Sequence, residues 1–404
     1  MEGRLLRPPR RLVRDRVHVL FRRAGGAACR GRGERMNVGV FSLMQWPQDR
    51  SASRVFGDEI AQAVEAERLG YDRAWFAEHH FSRYGIDPAI HLTVANVAAR
   101  TSRIRLGTAV TVLPFLPPIR AAEELATLDI LSDGRIDWGV GRGYQRHEFD
   151  AFEVDITESR SRFEESLEII FRAWQDGAFA HEGAHWKFGP VDVLPKPLQQ
   201  PLVSPPLRSG SLGVYPRIPT YIAAISPDSV RWAAEQALPL LADQFSPFER
   251  LAEGRTIYHD AFRAAGHTGD LPEAVALRQV YVGGTREEAR QLAVPALLWY
   301  YRMLAKVGSP ARHGEELPES YEAYKVFSVL SGMTEGTEEE FLDFLLNEVA
   351  IAGDAKEVAD RITALHEVGY PSVICWMNFG GLQHADTLAS MRRFVDEVAP
   401  ELPR

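Results

Sequence analysis

Cysteine is almost missing from this chain: Cys29 and Cys375 are the only two thiols in 404 residues. So few thiols, so far apart, exclude a disulfide framework and favour a reducing, cytoplasmic setting. Apolar runs of the ~18 to 20 residues that a membrane span needs are missing too. No Gly-x-Ser-x-Gly elbow occurs, which leaves a serine nucleophile unsupported. Lysine, serine and threonine are all absent from residues 1–35, which hold eleven Arg and three acids. Without hydroxyl residues the arm does not resemble a transit peptide, and without a seven-residue apolar core it is no secretory signal. The arm carries +8, so residues 36–404 carry −17 of the total of −9. Such an acidic body is a poor nucleic-acid binder.

Gly33-Glu34-Arg35 would be encoded by purine-rich codons like a translated ribosome-binding site, and Met36 begins a strand at once. The expectation is a natural start at Met36, preceded by a disordered basic extension over residues 1–35. From there strand and helix alternate. Strands are expected at 37–43, 72–77, 104–112, 135–140, 218–225, 238–242, 274–282 and 371–376. Helical periodicity fills 55–69, 88–102, 117–130, 162–174, 227–236, 248–265, 285–292, 356–368 and 382–398. Two breaker-rich inserts, 177–219 and 308–320, are too long for ordinary connections. Eight such units point to an α/β fold, a closed (β/α)₈ barrel with insertions over 36–404, rather than an open sheet.

In such a barrel chemistry gathers just beyond the carboxyl ends of the strands. There stand Glu78-His79-His80, Thr108 to Thr111, Gly139 to Tyr144, Ser226 to Ser229, and Trp376 to Gly381. Period-two geometry sends His79 and His80 to opposite sides, so at most one of them faces a given pocket. The alternative for the pair is one structural and one exposed imidazole. His181 and His185, four apart in a Gly-interrupted loop, carry little weight as a zinc site. Paired carboxylates for glycoside chemistry are missing at these ends. Gly141-Arg142-Gly143 lets backbone approach a ligand beside a permanent cation, and Ser226-Pro227 reads as a helix N-terminus. Each alone is ordinary; together they suit a phosphate. Trp75, Phe76, Phe115, Trp376, Met377 and Phe379 read equally as apolar pocket wall or as core. An arginine, a histidine and an apolar wall suit an organic cofactor that supplies the reactivity.

The chain resembles the bacterial luciferase-like, flavin-dependent monooxygenases, and the luciferase α-subunit pattern in particular, from Met36 to about Leu402. The resemblance rests on Ala77-Glu-His-His-Phe81, Leu106-Gly-Thr-Ala-Val-Thr-Val-Leu-Pro114, Leu131-Ser-Asp-Gly-Arg135, Gly141-Arg-Gly143, Ser226-Pro-Asp-Ser229 and Asn378-Phe-Gly-Gly381. It implies a TIM barrel that binds reduced FMN and uses O₂ through a flavin C4a-peroxide. The organic substrate would be small and apolar, an aldehyde or a secondary metabolite, and a separate reductase would supply FMNH₂. By the same resemblance His79 is catalytic. Arg142, Ser226 and Ser229 hold the phosphate with Tyr144 nearby, and Ala109–Val110 is a non-prolyl cis peptide beneath the isoalloxazine. A homodimer is expected, with neither metal, nucleic acid nor membrane as partner. Gly141 stands where light-emitting relatives have cysteine, Ile225 where they have an acid, and 202–215 is an extra segment. The inserts 177–215 and 308–340 are expected to cover the pocket.

Two other readings stay open at this stage. One is hydride transfer with deazaflavin F420, whose acidic tail would want extra basic residues at the mouth, where the sequence offers no obvious surplus. The other is a non-catalytic partner subunit, which would tend to lose the residues matching His79 and Arg142; both are present.

Overall fold

The computed structural model describes residues 35–199, 218–309, 316, 321 and 335–403. The expectations for residues 1–34, for segment 202–215, and for pocket cover by 200–215 and most of 308–340 lie outside these. In chain order the elements begin β1 (Asn37–Ser42), α1 (Ala52–Leu69), β2 (Arg73–Phe76), α2 (Ile90–Ala98), β3 (Arg105–Val112) and α3 (Pro118–Leu131). Next come β4 (Ile136–Gly141), α4 (Arg146–Ala151), α5 (Ser159–Ala173), β5 (Phe179–Glu182) and β6 (Lys187–Val191). Then β7 (Thr220–Ala223), α6 (Pro227–Glu235), β8 (Leu240–Ala242), α7 (Phe248–Ala264), β9 (Ala274–Val282) and α8 (Arg286–Val307) follow. The chain ends with α9 (Glu335–Phe344), β10 (Ile351–Gly353), α10 (Ala355–Glu367), β11 (Ser372–Trp376) and α11 (His384–Arg393).

Eight parallel strands close on themselves in the order β9-β11-β1-β2-β3-β4-β7-β8, with β8 returning to β9 through Leu240↔Ala274 to Ala242↔Ala276. The fold is therefore the expected (β/α)₈ barrel. Every expected strand is a barrel strand, with ends displaced by at most two residues. Short β10 adds to the far end of β9 at Ile351↔Val280.

Period-two side chains divide the core in two. One set, including Val38, Val40, Ala74, Phe76, Leu106, Ile136 and Val140, meets the surrounding helices. The other, including Phe41, Trp75, Tyr221, Leu241, Val275, Leu277 and Ile374, fills the barrel. Trp75 is the bulkiest interior filler near β1 to β3, and the neighbouring strand gives way to it. A Cβ placed on Gly107 would lie 2.2 Å from the Trp75 ring, so only glycine admits the indole. At the amino-terminal pole the interior is ionic. Arg73 grips Glu273 with two bonds of 2.8 and 3.0 Å and lies 3.2 Å from Asp137, while Tyr221 donates to Glu273 at 2.6 Å. That layer closes the bottom, so ligand access is at the other pole.

Three features differ from the sequence-based expectation. Within the first insert, residues 177–199 hold the antiparallel hairpin β5/β6, which lies along α5. His181 pairs with Glu165 at 3.0 Å, and the Glu165 carboxylate also accepts the amides of His185 and Trp186. Those polar contacts fasten the hairpin to α5. Helix α8 runs through Pro295 for 22 residues, where 285–292 was expected. Its Ala293, Ala296, Leu297 and Tyr300 are buried, and that packing outweighs the proline penalty of about 3 kcal/mol. The small strand β10 went unread.

On the carboxyl-terminal side, Glu59 of α1 is sealed inside the protein, taking the Ser42 hydroxyl and, at 3.0 Å, the Met44 amide. Burial pushes its carboxyl up from 4.5 to about 7 despite these bonds. A raised acid keeps its proton in the native state while the unfolded chain ionises. Its stabilising contribution is thus complete below pH 4.5 and lost as pH rises to about 7. Glu59→Gln is expected to flatten this slope and to equal or exceed wild type at pH 8. The shift sets an upper limit of roughly 3 kcal/mol on the gain. Urea unfolding at pH 4.5 and pH 8 checks it; an unchanged wild-type slope in the variant contradicts the assignment.

Candidate active site

The inward face of β2 continues through Trp75, Ala77 and His79 onto the barrel mouth. His79 Nδ1 stands 3.0 Å from Glu148 Oε1, and the same oxygen accepts the His80 amide at 2.9 Å. Burial pushes the Glu148 carboxyl up, but the His79 charge, the His79 bond and the His80 amide together outweigh it and hold the group below its ordinary range. An ionised carboxylate can only accept, so Nδ1 carries the hydrogen and Nε2 is the ring atom left for chemistry. His80 turns the other way. Its Nε2 meets Glu78 Oε1 at 3.0 Å, its ring packs on Phe115 and Phe152, and Glu78 Oε2 takes the Val112 amide at 3.0 Å. The two imidazoles are thus split as strand geometry requires, and the Glu78 clamp ties the end of β2 to the end of β3.

The Ala109–Val110 peptide is cis, and the β3–β4 ladder shifts register between Thr108 and Thr111. Opposite it, a Cβ on Gly141 would stand 2.8 Å from Val110 Cγ2, so the Val110 side chain occupies the room a residue with a side chain would need there. Gly143 has φ +76, the left-handed region, which turns the chain sharply after Arg142. Ser226 caps α6: its hydroxyl accepts the Ser229 amide at 3.2 Å, and the Ser229 hydroxyl donates to the Ser226 carbonyl at 2.8 Å. Asp228 adds negative charge to that first turn.

One cavity gathers His79, Ala109, Val110, Arg142, Tyr144, Ser226 and Ser229. These seven come from four strand ends far apart in sequence. Of the residues that read equally as pocket wall or core, Trp75, Phe76, Phe115, Trp376, Met377 and Phe379, none lines it: Trp75, Trp376 and Phe379 belong to the interior core, Phe76 and Met377 to the core under the helices, and Phe115 packs by Phe149 and Ile156. Phe41, Tyr84 and Phe245 take their place with Leu241, Leu277 and Ile374. Tyr84 links the phenols of Tyr144 at 3.3 Å and Tyr300 at 3.2 Å, and Gln244 donates to Tyr300 at 2.8 Å. Burial pushes all three hydroxyls well above their usual range, so they remain neutral hydrogen-bonding groups.

Past Ser226 and Ser229 a second cavity of about 550 Å³ opens, lined by Arg142, Arg160, Arg231 and Arg250. Sequence reading found no surplus of basic residues at the mouth. The fold creates one by bringing together β4, α5, α6 and α7. Glu164 and Asp228 partly offset it through their pairs with Arg160 and Arg231. Sequence reading also missed Glu148. Its only signal is an acid in the first turn of a short helix that leaves the glycine-rich loop.

A parallel eightfold barrel with a histidine, an arginine and a hydroxyl-bearing helix start on one pocket defines a TIM-barrel enzyme of the cofactor-dependent class. The sequence model of the luciferase-like monooxygenases matches residues 36–371, and the chain belongs to that family. It is therefore a monooxygenase-family oxidoreductase. Among its relatives, an uncharacterised protein y4vJ of Sinorhizobium fredii is 41% identical over 158 residues, which span 39% of this chain and 44% of that protein. The oxygenase component of the flavin-dependent trigonelline monooxygenase of Acinetobacter baylyi is 28% identical over 90% of this chain and 95% of its own length. An alkanal monooxygenase alpha chain of Aliivibrio fischeri is 25% identical over 83% of this chain and 90% of its own. Of solved structures, monooxygenase RslO1 from Streptomyces bottropensis superposes with a TM-score of 0.73 at 26% identity, covering 90% of this chain and 99% of that one. An F420-dependent secondary alcohol dehydrogenase superposes at 0.69 with 15% identity, over 92% and 100%, and shares the fold.

Glu148 has the opposite pH signature to Glu59. A depressed acid stabilises above its unfolded value near 4.5 and loses that contribution as pH falls below it. Urea unfolding is expected to show the widest stability gap between wild type and Glu148→Gln near pH 7, shrinking progressively below pH 4.5. A gap that does not change with pH would show that the carboxylate charge plays no part.

Proposed function

We propose that this chain is the oxygenase of a two-component FMNH₂- and O₂-dependent monooxygenase, fed with reduced flavin by a separate reductase. The observation that carries the reading is the continuity of the cavity from the His79–Glu148 pair to Arg142, Ser226 and Ser229. FMN is a planar ring system with a phosphate on a ribityl arm, and the donor set fits it: cation and hydroxyls at one end, apolar floor and imidazole at the other. Gly141, where a larger residue would meet Val110, keeps that floor thin. Arg142, Ser226 and Ser229 would hold the phosphate, with Ala109, Val110 and Tyr144 against the ring system. When bound, the reduced flavin supplies the activation of O₂.

The chain's own residues do the rest. Glu148 holds the hydrogen on His79 Nδ1 and leaves Nε2 to take or return a proton at the reacting centre. Phe41, Leu43, Leu241, Leu277, Phe245 and Ile374 exclude water, which would otherwise divert reduced oxygen to H₂O₂. The substrate is a small, mostly apolar molecule, and the neutral phenols of Tyr84 and Tyr144 supply polar contact. F420-dependent hydride transfer is the second reading, favoured by the four arginines around the outer cavity.

One stopped-flow experiment separates them. The protein is mixed anaerobically with photoreduced FMN, O₂ is admitted and absorbance followed, with F420 binding measured in parallel. A flavin species that persists for seconds before oxidised FMN appears is expected, and His79→Ala is expected to shorten its life about tenfold or more with flavin affinity retained. Immediate reoxidation with tight F420 binding transfers the assignment to hydride transfer; binding of neither cofactor points to a partner-dependent subunit.

We also propose a homodimer. Phe81 is 66% exposed and holds φ +58, an unfavourable conformation for a phenylalanine, while packing on Phe152. A second copy covering this aromatic patch would account for it. Size-exclusion with light scattering should give a dimer for wild type and a monomer for Phe81→Ser/Phe152→Ser; a monomeric wild type ends the idea.

A further inference from the structure

The phosphate end of the cavity is braced by a residue from far along the chain. Tyr321 is 1% exposed, and its hydroxyl lies 3.0 Å from the Gly143 carbonyl and 2.9 Å from Ser159 Oγ. The phenol donates to the carbonyl, and the Ser159 hydroxyl, itself a donor, completes the chain. The Arg142 guanidinium sits over the phenol ring, 5.0 Å from its centroid. Phe149 and Ile156 pack around the ring. Gly143 follows Arg142, and Ser159 precedes Arg160, so one side chain fixes the two segments that bring both arginines to the same cavity.

We propose that Tyr321 is a positioning residue for the cofactor phosphate. It orients Arg142 by stacking and holds the Arg142–Gly143 turn against the start of α5 by its hydroxyl. Tyr321 thereby favours a phosphorylated flavin over an unphosphorylated one. The proposal rests on the flavin reading for its ligand, though not for the geometry of the anion site. A guanidinium held in one place before the anion arrives loses less freedom on binding it, so the contribution is selective for the phosphate.

The test uses full-length protein carrying Tyr321→Ala or Tyr321→Phe, with anaerobic equilibrium dialysis against photoreduced FMN and photoreduced riboflavin. Y321A is expected to weaken FMN about tenfold, losing both the stacking and the hydroxyl bridge. Y321F keeps the ring over Arg142 and the packing on Phe149 and Ile156, and is expected to weaken FMN about threefold. Riboflavin affinity should stay within about twofold in both. Equal weakening of FMN and riboflavin, or FMN affinity unchanged in both variants, overturns the proposal. Y321F keeps the test open if Y321A does not fold. Thermal melting with inorganic phosphate is the independent arm: phosphate should raise the Tm of wild type more than that of either variant. If wild type binds neither flavin, the flavin reading fails, and this arm alone decides Tyr321. Equal stabilisation of wild type and variants by phosphate then overturns its role.

Discussion

Everything at the working pole depends on closure of one hydrogen-bonded ladder. Eight parallel strands have no free edge once β8 meets β9, and parallel pairing fixes every carboxyl end on the same side. No strand can be withdrawn without leaving two neighbours unpaired. The ionic layer of Arg73, Asp137 and Glu273 seals one end, and Trp75 fills the middle against Gly107. What remains is a lumen open at a single pole, so His79, Arg142 and Ser226 share a pocket although they lie far apart in the chain.

That pocket is organised by carboxylates that do not themselves reach far into it. Glu148 serves His79 and the backbone of His80 with one oxygen, and Glu78 serves His80 and the backbone of β3 with two. Each acid therefore fixes an imidazole and a strand end together. Orientation of the ring and shape of the floor are coupled, because a shift of β3 would be felt through Glu78 and His80 at the His79 position. The neutral phenols opposite them add polar contact without charge.

How much of this was legible in the sequence follows from what each residue touches. The barrel strands were readable because a strand buried on both faces is a short apolar run between breakers, as in 274–282. His79, Arg142 and Ser226 were readable because they stand at the ends of such runs. The β5/β6 hairpin was not: its strands are half exposed, carry His, Glu and Lys, and exist through Glu165 on another element. Helix α8 is read from the sequence only to Leu292, whereas it runs on through Pro295, where local propensity says stop and the packing of Ala293, Leu297 and Tyr300 says continue. Glu148, Arg160 and Tyr321 were missed for one reason. Their roles lie in contacts with segments the sequence does not place beside them.

The first strand carries a consequence for how the molecule is made. Asn37 to Val40 pair with Ser372 to Cys375, so among the described strands the first in the chain has the last as one neighbour. A ribosome must have released everything through Trp376 before the ring can close. Until then the histidine from β2 and the arginine from β4 belong to an open, unsealed sheet. A chain that stops short of Ser372 has no β11, so β1 and β9 are left with unpaired edges and the cavity loses Ile374 from its wall.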